Sequence, residues 1–277
     1  MKAGRRFYSA LRGVSIGCTA ISVIALLAIV VYVLWNGIGN LSFSFLFGEY
    51  GEMPSLLPAL CGTFHLVVIA VVIAVPIGIF SAIFLSEYMN RGGRLVRVIR
   101  VATETLAGIP SIVYGLFGYL VFLVALGWGY SLLGGGITLS IMILPVIVRA
   151  TEESLLAVPA GYREGAYALG ASKVRTIFRV ILPSAASGIV TAIILSVGRV
   201  VSESAVLILT IGLVVNKIPA SLLSSGTSLA LDIYYFSTNG YPREAAATSL
   251  VLLLLVIGLN LLATWVGKIL KRQSGDV

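Results

Sequence analysis

The chain has 277 residues, of which 58% are hydrophobic and 11% are charged, and its mean hydropathy is +1.05. Soluble domains carry about 25% charged residues, so this composition excludes a soluble protein and indicates a chain whose solvent is lipid. The net charge of +8 invites a nucleic-acid partner, but the positions of the charges argue against one.

Six apolar runs follow one another, and each is predicted to cross the membrane as a helix. They comprise residues 14–35, 64–85, 109–128, 137–148, 188–215 and 245–269. A helix of about 20 residues spans the hydrocarbon core, and five of the runs reach that length. The fourth run is short enough to be a re-entrant segment by length alone.

The lysines and arginines decide the topology, because 16 of the 19 fall in four groups between the runs. These groups are Lys2, Arg5, Arg6 and Arg12; Arg91, Arg94, Arg97 and Arg100; Arg149, Arg163, Lys173, Arg175 and Arg179; and Lys268, Lys271 and Arg272. The positive-inside rule places all four groups in the cytoplasm. Two crossings must therefore lie between the second and third groups, so the fourth run crosses, extended by residues 131–136. Six helices with both termini inside are predicted.

The external segments are then residues 36–57, 129–136 and 216–244. They carry two cations against four acids, namely Lys217 and Arg243 against Glu49, Glu52, Asp232 and Glu244. The basic excess therefore faces the cytoplasmic leaflet and sets orientation. No nucleic-acid partner is predicted.

The cytoplasmic segment YREGAYALGASKVRTIFRVILP, residues 162–183, interrupts the apolar pattern. Gly161 is suited to cap a first helix that has Glu164 in its first turn and ends before Gly170. Ser172 is suited to cap a second helix, and Pro183 marks the step into the fifth span. Two short capped helices are predicted here, and such a surface suits docking into a groove of another protein.

The fifth apolar run contains Arg199 and Glu203, four residues apart and therefore predicted to share one helix face. Ionisable residues within the membrane are costly and are candidates for function. A guanidinium suits phosphate oxygens, and a carboxylate partner would keep anion binding weak and exchangeable. The alternative is a static ion pair that fixes the fifth span to a neighbour.

Several other kinds of site are absent from the sequence. His65 is the single histidine, so this chain does not offer a multi-histidine metal site, and hydrogen bonding within its helix is expected instead. The phosphate-binding pattern G-x-x-x-x-G-K-[ST] does not occur, so any ATP must be bound by a partner. Glu104 is expected at the N-terminal, cytoplasmic edge of the third span, where a carboxylate suits the helix dipole.

The cytoplasmic segment resembles the loop of ABC-importer permeases, which follows the pattern Glu-Ala-Ala, three residues, Gly, nine residues, Ile-x-Leu-Pro. The matching residues are Glu164, Gly165, Ala166 and Gly170, followed by Val180, Ile181, Leu182 and Pro183. The family resemblance implies an all-α type I transmembrane domain whose coupling helix sits on an ATPase subunit. It also implies that residues 1–57 hold the first helix with its external loop, and that residues 58–277 form the permease core with a coupling loop at about 150–183.

Two further stretches resemble the phosphate-specific group, in particular its PstA-like permeases. They are ETLAGIPSIVYG at residues 104–115 and TEESLLAVP at residues 151–159. Where the group has Gly-Glu-Thr-Ala after the arginine of span five, this chain has Ser202, Glu203, Ser204 and Ala205. The resemblance associates Arg199 and Glu203 with transport.

The same resemblance implies the partners and the location of the chain. The partners are a second, PstC-like permease, a cytoplasmic ATPase dimer that binds ATP and Mg²⁺, and an extracytoplasmic phosphate-binding protein. The chain is expected to be a multi-pass protein in the cytoplasmic membrane of a bacterium or archaeon. It is not expected to be an enzyme or to hold a cofactor. Sulfate or molybdate is the alternative substrate, and a secondary transporter is the alternative class.

Overall fold

The computed structural model describes residues 2–48, 50–51, 54–89 and 93–273, and these residues form helices without any strand. Arg91, Glu49 and Glu52, which entered the predicted topology, lie outside the described residues. The helices in chain order are α1 Lys2–Ile38, α2 Phe43–Phe47, α3 Leu57–Ile83, α4 Arg94–Ala107, α5 Ser111–Gly118, α6 Leu132–Ala157, α7 Ala160–Ala168, α8 Lys173–Thr176, α9 Leu182–Val201, α10 Ala205–Thr210, α11 Leu229–Thr238 and α12 Pro242–Gln273.

Three π-helical turns join or extend these helices. They are Phe84–Tyr88 at the end of α3, Tyr119–Ala125 at the end of α5, and Ile177–Ile181 between α8 and α9. As a result α3 continues to Tyr88, and α8 runs without interruption into α9. The second cytoplasmic helix is therefore not short, as the sequence had suggested, but forms the first turns of the fifth span.

The described residues contain five helices long and apolar enough to cross a membrane, and a sixth span if one bent pair is counted. The five are Leu11–Ile38, Leu57–Tyr88, Leu132–Ala157, Lys173–Val201 and Pro242–Leu270, and the pair is Arg94–Ala107 with Ser111–Ala125. The prediction of six spans is consistent with this arrangement. The extension of the fourth span is confirmed, because the Ser131 hydroxyl caps α6 by accepting a hydrogen bond from the Gly134 amide at 3.2 Å.

Two spans differ from the predicted helices. The third is broken, since α4 and α5 meet at 97° around Pro110, which cannot donate a backbone hydrogen bond and disfavours helix at the preceding residue. The fifth was predicted at residues 188–215 but spans Lys173–Val201. Hydropathy misplaced it because the basic residues of its first turns lower the local score, while Ser202 to Ser204 end the helix inside the apolar run.

The centre of the fold is the contact between α3 and α6. Gly78 lets the two backbones approach, since a Cβ atom there would stand 2.7 Å from the Ile147 Cγ2 atom. Close approach at small residues is how membrane helices gain packing energy when lipid is as apolar as the side chains. By contrast, Gly37 is the single buried residue of the membrane portion of α1, residues 11–38, and it lies against Leu250 of α12 near the external end of that helix. The α3–α6 pair therefore lies at the centre of the packed helices, and α1 lies at their edge.

Candidate functional site

Arg199 lies in the last turn of α9, and its side chain is exposed. Among the described residues no carboxylate lies within 4.0 Å of its guanidinium, and no hydrogen bond of this side chain is formed. A guanidinium that forms no hydrogen bond or ion pair with the described residues keeps its five donors available to an anion.

Glu203 does not lie on the helix face of Arg199, so the predicted four-residue pairing is wrong. The α9 helix ends at Val201, and Ser202 caps it by donating its hydroxyl to the Gly198 carbonyl at 2.9 Å. Glu203 follows the break, and its Oε1 accepts a hydrogen bond from the Val206 amide at 3.2 Å. The carboxylate thus caps the start of α10, where a negative charge also suits the helix dipole.

The break after α9 faces the break between α4 and α5. A Cβ atom at Gly115 of α5 would stand 3.0 Å from the Val206 Cα atom of α10, so these two half-helices are in close contact. Tyr114 fixes the bend by donating its hydroxyl to the Leu106 carbonyl at 2.8 Å, and its ring hydroxyl interacts electrostatically with Arg199. Irregular backbone at membrane depth is tolerated where protein buries it or water reaches it. Arg199 therefore stands where two discontinuous spans meet.

A second charged region, which the sequence did not reveal, lies at the cytoplasmic end of α4 and α6. Arg100 donates to Glu152 at 2.5 Å, and Arg149 donates to Glu153 at 2.9 Å. A cleft of about 400 Å³ opens beside these pairs. The four-residue spacing of Arg149 and Glu153 was a detectable signal, whereas the pairing of Arg100 with Glu152 joins residues 52 apart in sequence.

Glu104 belongs to this region and not to the start of the third span. It lies in the last turn of α4, the unfavourable end of a helix for a carboxylate. The Arg149 guanidinium lies 3.9 Å from it and offsets this charge. The expected N-terminal role of Glu104 is therefore wrong, because the break at residues 108–110 puts Glu104 at the C-terminal end of α4.

The cytoplasmic loop forms largely as predicted. Gly170 has φ +78°, a left-handed conformation that glycine adopts without strain, and it follows the end of α7. The Ser172 hydroxyl caps α8 by accepting a hydrogen bond from the Arg175 amide at 3.4 Å. The cap of α7 is Pro159, however, not Gly161, so Glu164 lies beyond the first turn. Proline disfavours helix at the residue before it, so α6 ends at Ala157 and α7 begins directly after Pro159 rather than after Gly161.

The α7 helix is unusual because none of its residues is buried. Glu164, Gly165 and the following Leu169 are exposed, and Leu169 exposes 91% of its surface. Leu182 and Pro183 begin α9 behind it, and a cleft of about 770 Å³ separates α7 from that segment. Ala166 and Pro183 are among the residues that line the cleft. Tyr162 and Tyr167 of α7 are also exposed, so Leu169 is one of three large exposed side chains on this short segment, and such a group is typical of a surface that contacts another protein.

The external face contains a buried acid. Asp232 of α11 is fully buried and accepts a hydrogen bond from the Thr227 hydroxyl at Oδ1, while its Oδ2 has no hydrogen-bond partner among the described residues. Burial raises the pKa of Asp232 to about 7, and the Thr227 hydrogen bond opposes part of that rise. Burial and the nearby Tyr235 and Asp232 likewise raise the pKa of Tyr50 to about 12.

His65 forms the hydrogen bond within its own helix that the sequence analysis expected, since its Nδ1 atom lies 2.7 Å from the Cys61 carbonyl of α3.

Residues 74–274 match the family model of the binding-protein-dependent transport system inner membrane component. The chain is 32% identical to the probable ABC transporter permease protein YqgI of Bacillus subtilis, over 92% of this chain and 93% of that protein. It is 38% identical to the phosphate transport system permease protein PstA 1 of Mycobacterium tuberculosis, over 78% of this chain and 71% of that protein.

Solved structures with a similar fold are more distant in sequence. The inward-facing MetNI methionine ABC transporter matches with a TM-score of 0.61 at 21% identity, over 78% of this chain and 94% of that chain. A bacterial alginate ABC transporter, in complex with its pentasaccharide-bound periplasmic protein, matches with a TM-score of 0.62 at 13% identity, over 95% and 93%. Both confirm the type I importer fold that the loop motif implied.

Proposed function

Because the chain belongs to the family of binding-protein-dependent transport system inner membrane components, the permeases of ABC importers, we propose that it passes inorganic phosphate across the cytoplasmic membrane. Helices on the two sides of the broken spans would alternate between inward-open and outward-open arrangements. Energy would come from a separate ATPase dimer that binds ATP and Mg²⁺, and a PstC-like second permease would complete the pathway.

The observation that carries this proposal is the exposed α7 helix. It lies between two spans, contains the Glu164-Gly165-Ala166 residues of the loop motif with Gly170 just after its end, and buries none of its own side chains. A short helix that buries none of its side chains gains little apolar packing energy from the rest of this chain. Docking on the ATPase subunit would bury it.

The identity of the substrate rests on the relatives and on Arg199. Several relatives at 34–38% identity are named phosphate transport system permeases, whereas two solved structures with this fold are named for methionine and alginate. The fold therefore does not select the substrate. Arg199, exposed at the junction of the broken spans, suits a tetrahedral oxyanion, and sulfate or molybdate is the competing assignment.

An extracytoplasmic phosphate-binding protein would make the first selection, and Arg199 would then receive the anion it delivers. Because Glu203 is engaged as the cap of α10, it would not neutralise Arg199 directly. Its role in transport would be to hold the break after α9 in place.

The test is uptake of labelled phosphate by cells that lack this chain, before and after the chain is restored. Restored, energy-dependent uptake that excess sulfate does not reduce is the expected result. Uptake that the deletion leaves unchanged under phosphate limitation, in cells without a duplicate system, would contradict phosphate as the substrate.

A further inference from the structure

The guanidinium of Arg163 joins the α7 helix to two spans at once. Its Nη2 atom donates to Glu87 Oε1 at 2.7 Å and to the Leu155 carbonyl at 2.9 Å. Its Nε atom donates to the same Glu87 oxygen at 3.2 Å, and its Nη1 atom donates to the Val158 carbonyl at 3.0 Å. One side chain thus connects α7 with the end of the second span and the end of the fourth.

These bonds satisfy groups that would otherwise lack partners. Leu155 lies in the last turn of α6, where carbonyls have no partner within the helix, and Val158 follows directly after the helix. Glu87 lies in the π-helical turn at the cytoplasmic end of α3. The side chains of Arg163 and Glu87 are only 17% and 7% exposed, so loss of one partner would leave the other charge buried without compensation.

Tyr88, the residue after Glu87, contacts the second helix of the loop, α8. The Lys173 ammonium at the start of α8 lies 4.6 Å from the centroid of the Tyr88 ring. This contact is weaker, because Tyr88 is half exposed and an exposed cation–π contact contributes little. Glu87 and Tyr88 together nevertheless hold both helices of the loop, α7 through Arg163 and α8 through Lys173.

A buried apolar cluster joins α3, the end of α6 and the start of the fifth span, and α7 contributes no residue to it. Its members are Ala82, Ile83, Leu155, Val158, Ile177, Ile181, Ala185 and Ile189. Since α7 has no buried side chain of its own, the main polar connection from α7 into the membrane domain is Arg163. A force applied to α7 would reach α3 and α6 through this residue, and those two helices are already closely packed at Gly78 and Ile147.

We propose that Arg163 and Glu87 are positioning residues that transmit the movement of the ATPase-bound α7 helix to the second and fourth spans. This inference rests on the proposed function, since it presupposes that α7 is the docking helix. Neither residue contacts the ATPase or the anion in this role. Their effect is on the ratio of phosphate imported to ATP hydrolysed, which a purely structural cap would leave unchanged.

The test uses the complete complex, with both permeases, the ATPase and the binding protein, reconstituted in proteoliposomes. The variants are Glu87→Gln, Arg163→Gln, the double variant and Arg163→Lys, with Arg149→Gln as the matched control because its ion pair is exposed. Each single Gln variant is expected to keep the ATPase bound and to lower the ratio of import to hydrolysis at least about fivefold. The double variant is expected to lose no more than either single variant, because both remove one shared interaction. Arg163→Lys is expected to recover part of the ratio.

An unchanged ratio in both Gln variants, or a fall of equal size in Arg149→Gln, would overturn the inference. A parent complex that neither binds an ATPase nor imports phosphate would instead contradict the proposed function, and this inference with it.

A second measurement needs no variant and so does not depend on variant folding. Hydrogen exchange of the parent complex is followed at residues 84–89 and 160–169, with and without a non-hydrolysable ATP analogue. If Arg163 joins the two segments, their protection is expected to change together. A change confined to residues 160–169 would overturn the inference.

Discussion

The free guanidinium of Arg199 gives the first test at the scale of single residues. Arg199→Ala is expected to lower phosphate uptake by tenfold or more, because a charge-assisted hydrogen bond contributes roughly 1.5–3 kcal/mol. Assembly with the ATPase is expected to persist, since the side chain is exposed and pairs with no described carboxylate. Arg97→Ala removes an exposed cation from α4 and is the control. Normal uptake by the Arg199 variant would exclude Arg199 from the anion pathway.

The buried Asp232 predicts how stability depends on pH. Its pKa is about 7 in the folded protein against 3.8 for the free group, so the folded state holds a proton that the unfolded state releases. Stability is therefore expected to fall as pH rises from about 4 to 7 and to level off above that. The penalty is on the order of 4 kcal/mol at most.

Asp232→Asn keeps the acceptor for Thr227 but cannot ionise. The apparent unfolding temperature of this variant is expected to exceed that of the parent at pH 8 and to vary less between pH 5 and pH 8. Glu244→Gln, which removes a partly exposed carboxylate from the next helix, should behave like the parent. Parallel pH profiles for the parent and Asp232→Asn would show that the carboxyl group is not protonated in the fold.

The helix elements show which parts of the molecule a single sequence can predict. The cap at Ser172 and the left-handed Gly170 follow from local backbone chemistry, and the structure confirms both. The end of the fifth span does not, because Ser202 and Glu203 cap helices within a run that is apolar on average.

The pairing of Arg163 with Glu87 could not be read from the sequence either, since those residues lie 76 positions apart. Only the folded arrangement of α3, α6 and α7 brings them together. The charge pattern does place Arg163 in the correct loop and on the cytoplasmic side. It predicts the side of the membrane on which a basic residue lies but not the residue with which it pairs.

The close contact of α3 and α6 can be tested with one added side chain. Gly78→Val would place its Cβ 2.7 Å from Ile147 and force the helices apart, at a cost of roughly 1–3 kcal/mol. Gly258→Val in α12 is the control, because a Cβ there meets nothing within 4 Å. The Gly78 variant is expected to unfold at a lower temperature than the Gly258 variant. Equal unfolding temperatures would mean that the α3–α6 contact is looser than described.

At the scale of the whole molecule, the chain divides into a packed interior and surfaces left for other components. The α3–α6 pair and the broken spans are buried against one another, whereas the α7 helix buries none of its residues and the membrane portion of α1 buries Gly37 alone. The surface of α1 is apolar and faces lipid or other membrane helices. The α7 helix lies outside the apolar spans with exposed glutamate, tyrosine and leucine, so an aqueous protein partner suits it better.

That division predicts which exposed leucine matters for assembly. Leu169→Asp, at the apex of the cytoplasmic loop, is expected to lower the amount of ATPase that co-purifies about tenfold or more, because a side chain 91% exposed in this chain would fill a site on the partner. Leu223→Asp changes a leucine that is 56% exposed on the external segment, and there the ATPase should co-purify as with the parent. Since neither leucine is buried, both variants should fold, and circular dichroism checks this. Equal recovery of the ATPase by both variants would mean that the energy-supplying subunit docks elsewhere, and α7 would lose its assigned role.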